Sequence, residues 1–125
     1  MIREKFNSLV EKIKSSGSSF VTDDMLAIEE YIKACGNYVK AVIDMEAAMI
    51  AARDRMEPRE YREYIAQLDK NRKVVHDSLI ASTKLINRLC ETYGEPIIYT
   101  GGDNRIEIAE FAKKVIDEIF MTRTL

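Results

Sequence analysis

Glu46, Asp69, Arg72 and His76 are the residues whose types and spacing could do chemistry together. Arg72 offers a planar fork of donors that suits a carboxylate or a phosphate. His76, one helical turn further on, is the single imidazole of the chain and carries a proton that moves near neutrality. Asp69 stands one turn before Arg72, and Glu46 interrupts an otherwise apolar stripe earlier in the chain. Two roles are open to such a cluster. It is either a small-anion or phosphate site, or a buried salt bridge that sets the register of two helices. An arginine in an apolar stripe must find an acceptor, and Glu46 is the expected partner across the helix pair, with Asp69 the local competitor. Stranding one member of such a buried pair costs about 3 kcal/mol.

Other chemistry is poorly supplied. A di-iron bundle needs two Glu-x-x-His pairs, and the residue three before the lone histidine is Lys73. Glu60 and Glu63 have a spacing that could hold magnesium, but it is equally that of a solvated helix face. Cys35 and Cys90 are far apart and outside any CxxC spacing, which predicts two buried thiols. Ser78 faces away from His76, and nothing resembles a nucleophile elbow. Gly101-Gly102-Asp103-Asn104 leads into a helix whose amides, with Arg105, could hold an anion. A helix-starting turn needs the same residues. No metal and no cofactor is expected.

The elements that carry these residues are helices, because the hydrophobic period is helical almost throughout. Ile2, Phe6, Leu9, Val10 and Ile13 give a short first helix, about 2–14, stopped by a serine- and glycine-rich turn. Thr22 is the expected cap of a long helix, about 23–56, whose stripe reads Met25, Ile28, Ile32, Cys35, Val39, Val42, Glu46, Met49, Arg53 and Met56. Gly36 lies inside it, where a neighbouring helix is expected to approach closely. Pro58 suits the first turn of a second long helix, about 58–93, with Gly94 in the C-terminal left-handed position. Its stripe runs Tyr61, Ile65, Leu68, Arg72, Val75, Leu79, Ser82, Ile86, Leu89, Tyr93. Asn104 and Glu107 form a capping box for a last helix, about 104–121.

Each long helix spans roughly 50 Å, and the two matched stripes are best buried in an antiparallel hairpin. In a hairpin closing near Glu57, residues whose numbers sum to roughly 115 face each other, which sets Glu46 opposite Asp69 and Val39 opposite His76. The short helices are tethered at the opposite end and should not reach the Pro58 tip. The expected architecture is an all-α helical bundle, one domain over residues 1–125. Met45, Met49, Ile50, Met56, Tyr61, Tyr64, Ile65 and Leu68 are then left near the tip with too little to cover them, a pattern that marks an interface.

Composition narrows the function classes. Hydrophobic residues at 46% and charged residues at 32% suit a globular chain rather than a disordered one. A net charge of −2 disfavours nucleic acid as a partner, even though Lys70, Arg72, Lys73 and Arg88 share one helix. No stretch has the length of a membrane span and the N-terminal residues lack a signal-like apolar core, so a cytoplasmic chain is expected.

The stretch from Leu68 to Ser82 (LDKNRKVVHDSLIAS), with Asn87-Arg88 and the later Tyr99-Thr100-Gly101-Gly102-Asp103, resembles a family of small, uncharacterised, all-helical bacterial proteins. The resemblance covers about half the chain. It implies a helical fold and a bacterial or phage source, and brings no activity and no site residues. The sequence as a whole points to a helical interaction or scaffold protein that pairs as a homodimer. The alternative is a small-anion or phosphate-ligand binder, or an enzyme, using the polar cluster.

Overall fold

Four helices and no strand make up the described residues, 2–120, of the computed structural model: α1 (Ile2–Ser15), α2 (Val21–Arg53), α3 (Pro58–Thr92) and α4 (Arg105–Phe120). The expected end of the last helix at Met121 lies outside the described residues. None of these helices is long and apolar enough to cross a membrane.

Side chains of the connecting segments decide where each helix stops. After α1, Ser16 Oγ donates to the Ile13 carbonyl at 2.7 Å, and the Ser16 and Ser18 hydroxyls accept from the backbone N–H groups of Ser18 and Phe20. Phe20, and not Thr22, is the N-cap of α2, its carbonyl accepting from the Asp24 amide at 2.9 Å. The serines have already satisfied the preceding amides, so the helix starts earlier than a threonine cap would allow. At the tip the Arg55 and Met56 amides both donate to the Ala52 carbonyl, closing α2 at Arg53, and Pro58 opens α3. At the other end of α3 the Glu95 amide donates to the Cys90 carbonyl and the Gly94 amide to that of Glu91, with Gly94 at φ +68°. This paired pattern is the Schellman stop.

The long helices pack antiparallel along their length, and α4 lies chiefly on α2 with a lesser contact to α3. The rings of Tyr38 and His76 are 5.1 Å apart, and Met45 shares a seam with Leu68 and Arg72, so facing residues follow the expected sum closely. The phase of the α2 stripe differs from the sequence expectation. Its buried or seam-facing positions include Tyr31, Cys35, Tyr38, Met45 and Ala52, which alternate by fours and threes when Val42 and Met49 are included; Ile28, as expected, and Ala34 are buried beside them. Val39, Glu46 and Arg53 lie off this seam, while Ile32 is partly buried against the core. Two tyrosines and an alanine are harder to recognise as apolar positions than isoleucine and valine.

The core gathers at the end shared by all four helices. Phe6, Leu9 and Ile13 of α1 meet Ile28 and Tyr31 of α2, Leu79 and Ile86 of α3, and Ala112 and Val115 of α4. Tyr31, the thiol of Cys35 and Thr83 form a small buried polar group, and Thr83 Oγ1 donates to the Leu79 carbonyl at 2.7 Å. Burial pushes the Cys35 thiol up to about 12 and raises Cys90 as well, so both cysteines sit as inert buried thiols.

Beyond the Tyr38–His76 level only Ala52 is fully buried. That part of the hairpin is a bare two-helix arm, about 25 Å long from residue 41 to the tip.

Gly36 does not serve a close helix approach. A Cβ built there meets Ile116 Cδ1 at 3.7 Å, an ordinary contact. Replacing glycine inside a helix by alanine is worth about 1 kcal/mol. Gly36→Ala therefore raises stability by about that amount, read as an upward shift of the urea midpoint; a loss of stability would show that α4 needs the bare backbone.

Candidate functional site

Where α4 begins is set by the chain between Tyr93 and Arg105. The Asn87 carboxamide donates to the Tyr99 carbonyl at 2.8 Å and accepts from the Tyr99 amide at 3.1 Å, pinning the loop to α3. The Tyr99 ring stands edge-on to Phe111 at 5.2 Å, and its hydroxyl donates to the Gly102 carbonyl. Asn104 Oδ1 accepts from the Glu107 amide at 2.9 Å, while the Glu107 carboxylate accepts from the Gly102 amide. The expected capping box is thus realised on its asparagine side, and its glutamate reaches past Asn104. A Cβ at Gly101 would lie 2.6–2.8 Å from the Tyr99 ring end, so this position needs glycine for space. The chain's own side chains use these groups to start α4, in keeping with a helix-starting turn.

The first turns of α4 consequently lie beside the middle of the hairpin. Tyr38 of α2, Arg72 and His76 of α3, and Arg105, Ile106, Ala109, Glu110 and Lys113 of α4 line an open groove of about 290 Å³. His76 is only 6% exposed and its ring lies against the backbone of Arg105. Its Nε2 is buried with no hydrogen-bond partner. Burial first, then the charges of Arg105 and Arg72, hold the imidazole below its usual pKa; the Arg105 backbone and Asp77 oppose them.

The candidate cluster is only partly assembled. Arg72 and His76 share the groove. Asp69 takes Arg72, with Nη2 at 2.7 Å and Nε at 3.2 Å from the same Oδ1, and this contact raises the Arg72 pKa. Glu46 is elsewhere, and the expected Glu46–Arg72 pair is not formed. It is exposed and lines a second groove of about 240 Å³ with Met49, Ile50, Arg53 and Tyr61. The shift in stripe phase explains this: Met45, not Glu46, faces Arg72, and a half-exposed arginine finds its carboxylate more cheaply on its own helix. Arg105 is expected from the sequence only beside the turn that starts the last helix, and Glu110 and Lys113 are groove residues that sequence reasoning does not single out. Arg105, Ala109 and Lys113 do recur every four residues, but no periodicity measures how far along the hairpin α4 sits.

The tip residues remain mostly half-covered. Met45 and Leu68 lie in the seam between the helices with Ala41, Ala48 and Val75. Met56, Tyr64 and Ile65 are half-buried, and Ile50 is 66% exposed. Ile43, 59% exposed, extends the same outer face by two turns from Ile50 and was not anticipated. Among the described residues no three His, Cys, Asp or Glu side chains converge as a metal site would require.

The fold and these grooves define an all-helical protein with a four-helix end and a two-helix arm. Residues 3–125 match the family described as a protein of unknown function, DUF3232, and the chain belongs to that family. The search among curated proteins finds no match.

Two outcomes follow from the geometry of Arg72 and His76. Because the Asp69–Arg72 pair is half-exposed and local, Arg72→Met changes stability by less than about 1 kcal/mol, measured by chemical denaturation; a loss near 3 kcal/mol would mean a buried partner. For His76 the folded chain resists the proton that the unfolded chain takes up below the ordinary value of 6.5. Its contribution to stability is complete above that value and is lost as pH falls through it, by at most about 1.4 kcal/mol per pH unit. His76→Phe removes this slope, read from denaturation midpoints between about pH 5 and 8.

Proposed function

We propose that this chain is a helical interaction protein that pairs with a second copy of itself through the two-helix arm. The observation that carries this reading is the outer groove of α2, in which Glu46 and Arg53 flank Met49 and Ile50, with Tyr61 closing the side. Opposite charges seven residues apart on either side of an apolar centre are self-complementary under a two-fold axis. With the axis passing between Met49 and Ile50, two arms lie antiparallel. Glu46 of each copy then meets Arg53 of the other, Ile43 meets Met56, and the central Met49 and Ile50 cover each other. Paired arms form four helices along the length that a single chain leaves as two, and they remove the exposed Ile43 and Ile50 from water. Methionine and tyrosine suit such a contact because the one adapts in shape and the other combines an apolar ring with a polar tip.

The test is the solution mass of the parent and of charge variants. The parent sediments as a dimer at about 100 μM, a concentration that a micromolar complex saturates. Met49→Asp gives a monomer. Glu46→Arg places arginine against arginine twice and weakens the dimer at least about tenfold, while adding Arg53→Glu to it restores pairing. A monomeric parent, or a Glu46→Arg variant that pairs as tightly as the parent, overturns the reading.

A further inference from the structure

We propose that the groove between Tyr38, His76 and the first turns of α4 binds a small phosphate monoester, held by Arg72, Arg105 and Lys113 above the imidazole of His76. The groove lies on the α4 side of the hairpin, and the proposal stands whether or not the arms pair.

Charge is the first argument. Three cationic side chains from two helices line the groove, against a single lining carboxylate, Glu110. Arg72 is already met by Asp69, through one oxygen only. Among the described residues, neither Arg105 nor Lys113 has a carboxylate within ion-pair distance. Both are exposed and long enough to swing onto an anion. Arg105 also stands in the first turn of α4, where the helix dipole favours negative charge.

The second argument is independent of charge. His76 is more than nine-tenths buried, yet its Nε2 has no partner. A buried nitrogen left unmatched is unfavourable, and native chains rarely keep one without a use. The ring is held in place by packing on Tyr38 and by the backbone of Arg105, so its free nitrogen is fixed rather than free to seek water. The imidazole takes one proton from solvent, and a phosphate dianion bound in the groove beside it offsets the charges of the two arginines that oppose that proton. The groups facing the imidazole are Tyr38 from α2, Arg72 and Asp77 from α3, and Arg105 with Glu110 and Lys113 from α4. Their balance shifts toward the protonated form only when an anion arrives.

Size and lining argue for an ester rather than the bare ion. A volume of about 290 Å³ exceeds the need of phosphate alone and lies at the small end of organic ligand sites. Its walls include the Tyr38 ring and Ala109, and Ile106 stands at its side 72% exposed. These can cover a compact apolar or aromatic group attached to the phosphate.

The single histidine makes the test direct, since its imidazole proton resonances need no assignment among others. The parent is titrated with phenyl phosphate and with inorganic phosphate at constant ionic strength, with chloride as control. The His76 titration midpoint rises by about one pH unit in saturating phenyl phosphate, less in inorganic phosphate, and not in chloride. Arg105→Gln and Lys113→Gln, both on the exposed rim, each weaken phenyl phosphate binding at least about tenfold with helix content unchanged. His76→Phe keeps residual binding but loses its increase toward acid. A His76 midpoint indifferent to about 10 mM phenyl phosphate, or an Arg105→Gln variant that binds as the parent does, overturns the proposal. Equal responses to phosphate and chloride would overturn it too, as non-specific screening.

Discussion

The carboxamide of Asn87 pairs with both backbone groups of Tyr99, and the position of everything after α3 depends on that clamp. It turns the chain back along α3 within a few residues of the Schellman stop and buries Ile98 and Tyr99 as an anchor. The first turn of α4 is thereby delivered beside His76 instead of remaining at the far end of the hairpin. Without it the four-helix end would lack a fixed fourth member, and Arg105 and Lys113 would not share a groove with Arg72. A side-chain amide is well suited to this role, because it presents one donor and one acceptor in the same plane as a peptide.

How much of this was legible in the sequence varies with the kind of signal. The four helices, the hairpin and the chain breaks at Gly17, Pro58 and Gly94 are written in local residue types, and each lies within a few residues of where the pattern put it. The α3 stripe was read in phase because Leu79, Ile86 and Leu89 leave no choice. On α2 two phases compete. One contains isoleucine and valine with two charged interruptions, and the other contains Tyr31, Tyr38, Met45 and Ala52. Packing selected the second, because tyrosine buries a large ring and alanine allows the helices to close. Glu46 and Arg53 were thereby moved from a supposed interior to the outer face. The placement of α4 was illegible for a different reason: it rests on a contact between residues 87 and 99 that no periodicity encodes.

The buried polar groups fall into two kinds. Tyr31, Cys35 and Thr83 lie beside one another, and Thr83 Oγ1 donates to a backbone carbonyl, which costs the core little. His76 does not close its own account in this way. Its ring packs as a hydrophobic residue would, with one nitrogen left over. The two sites lie on the same pair of helices about two turns apart along α3, and they show how differently a chain treats polar atoms it needs for packing and those it leaves open.

The thinness of the arm has a consequence for motion. At the four-helix end each α2–α3 turn is held by a third element, so opening it means disrupting the whole core. From residue 41 to the tip the only support for each helix is the other, with little fully excluded from water. The two ends of the hairpin are therefore separate cooperative units, joined by continuous backbone but differing in the free energy needed to open them. In a lone chain amide protons of the arm exchange through local unfolding that leaves the four-helix end intact, and the protection gradient rises along α2 and α3 from Pro58 toward the Tyr38–His76 level. The chain carries its most adaptable surface on its least stable segment, so ordering that segment and engaging a partner are one event.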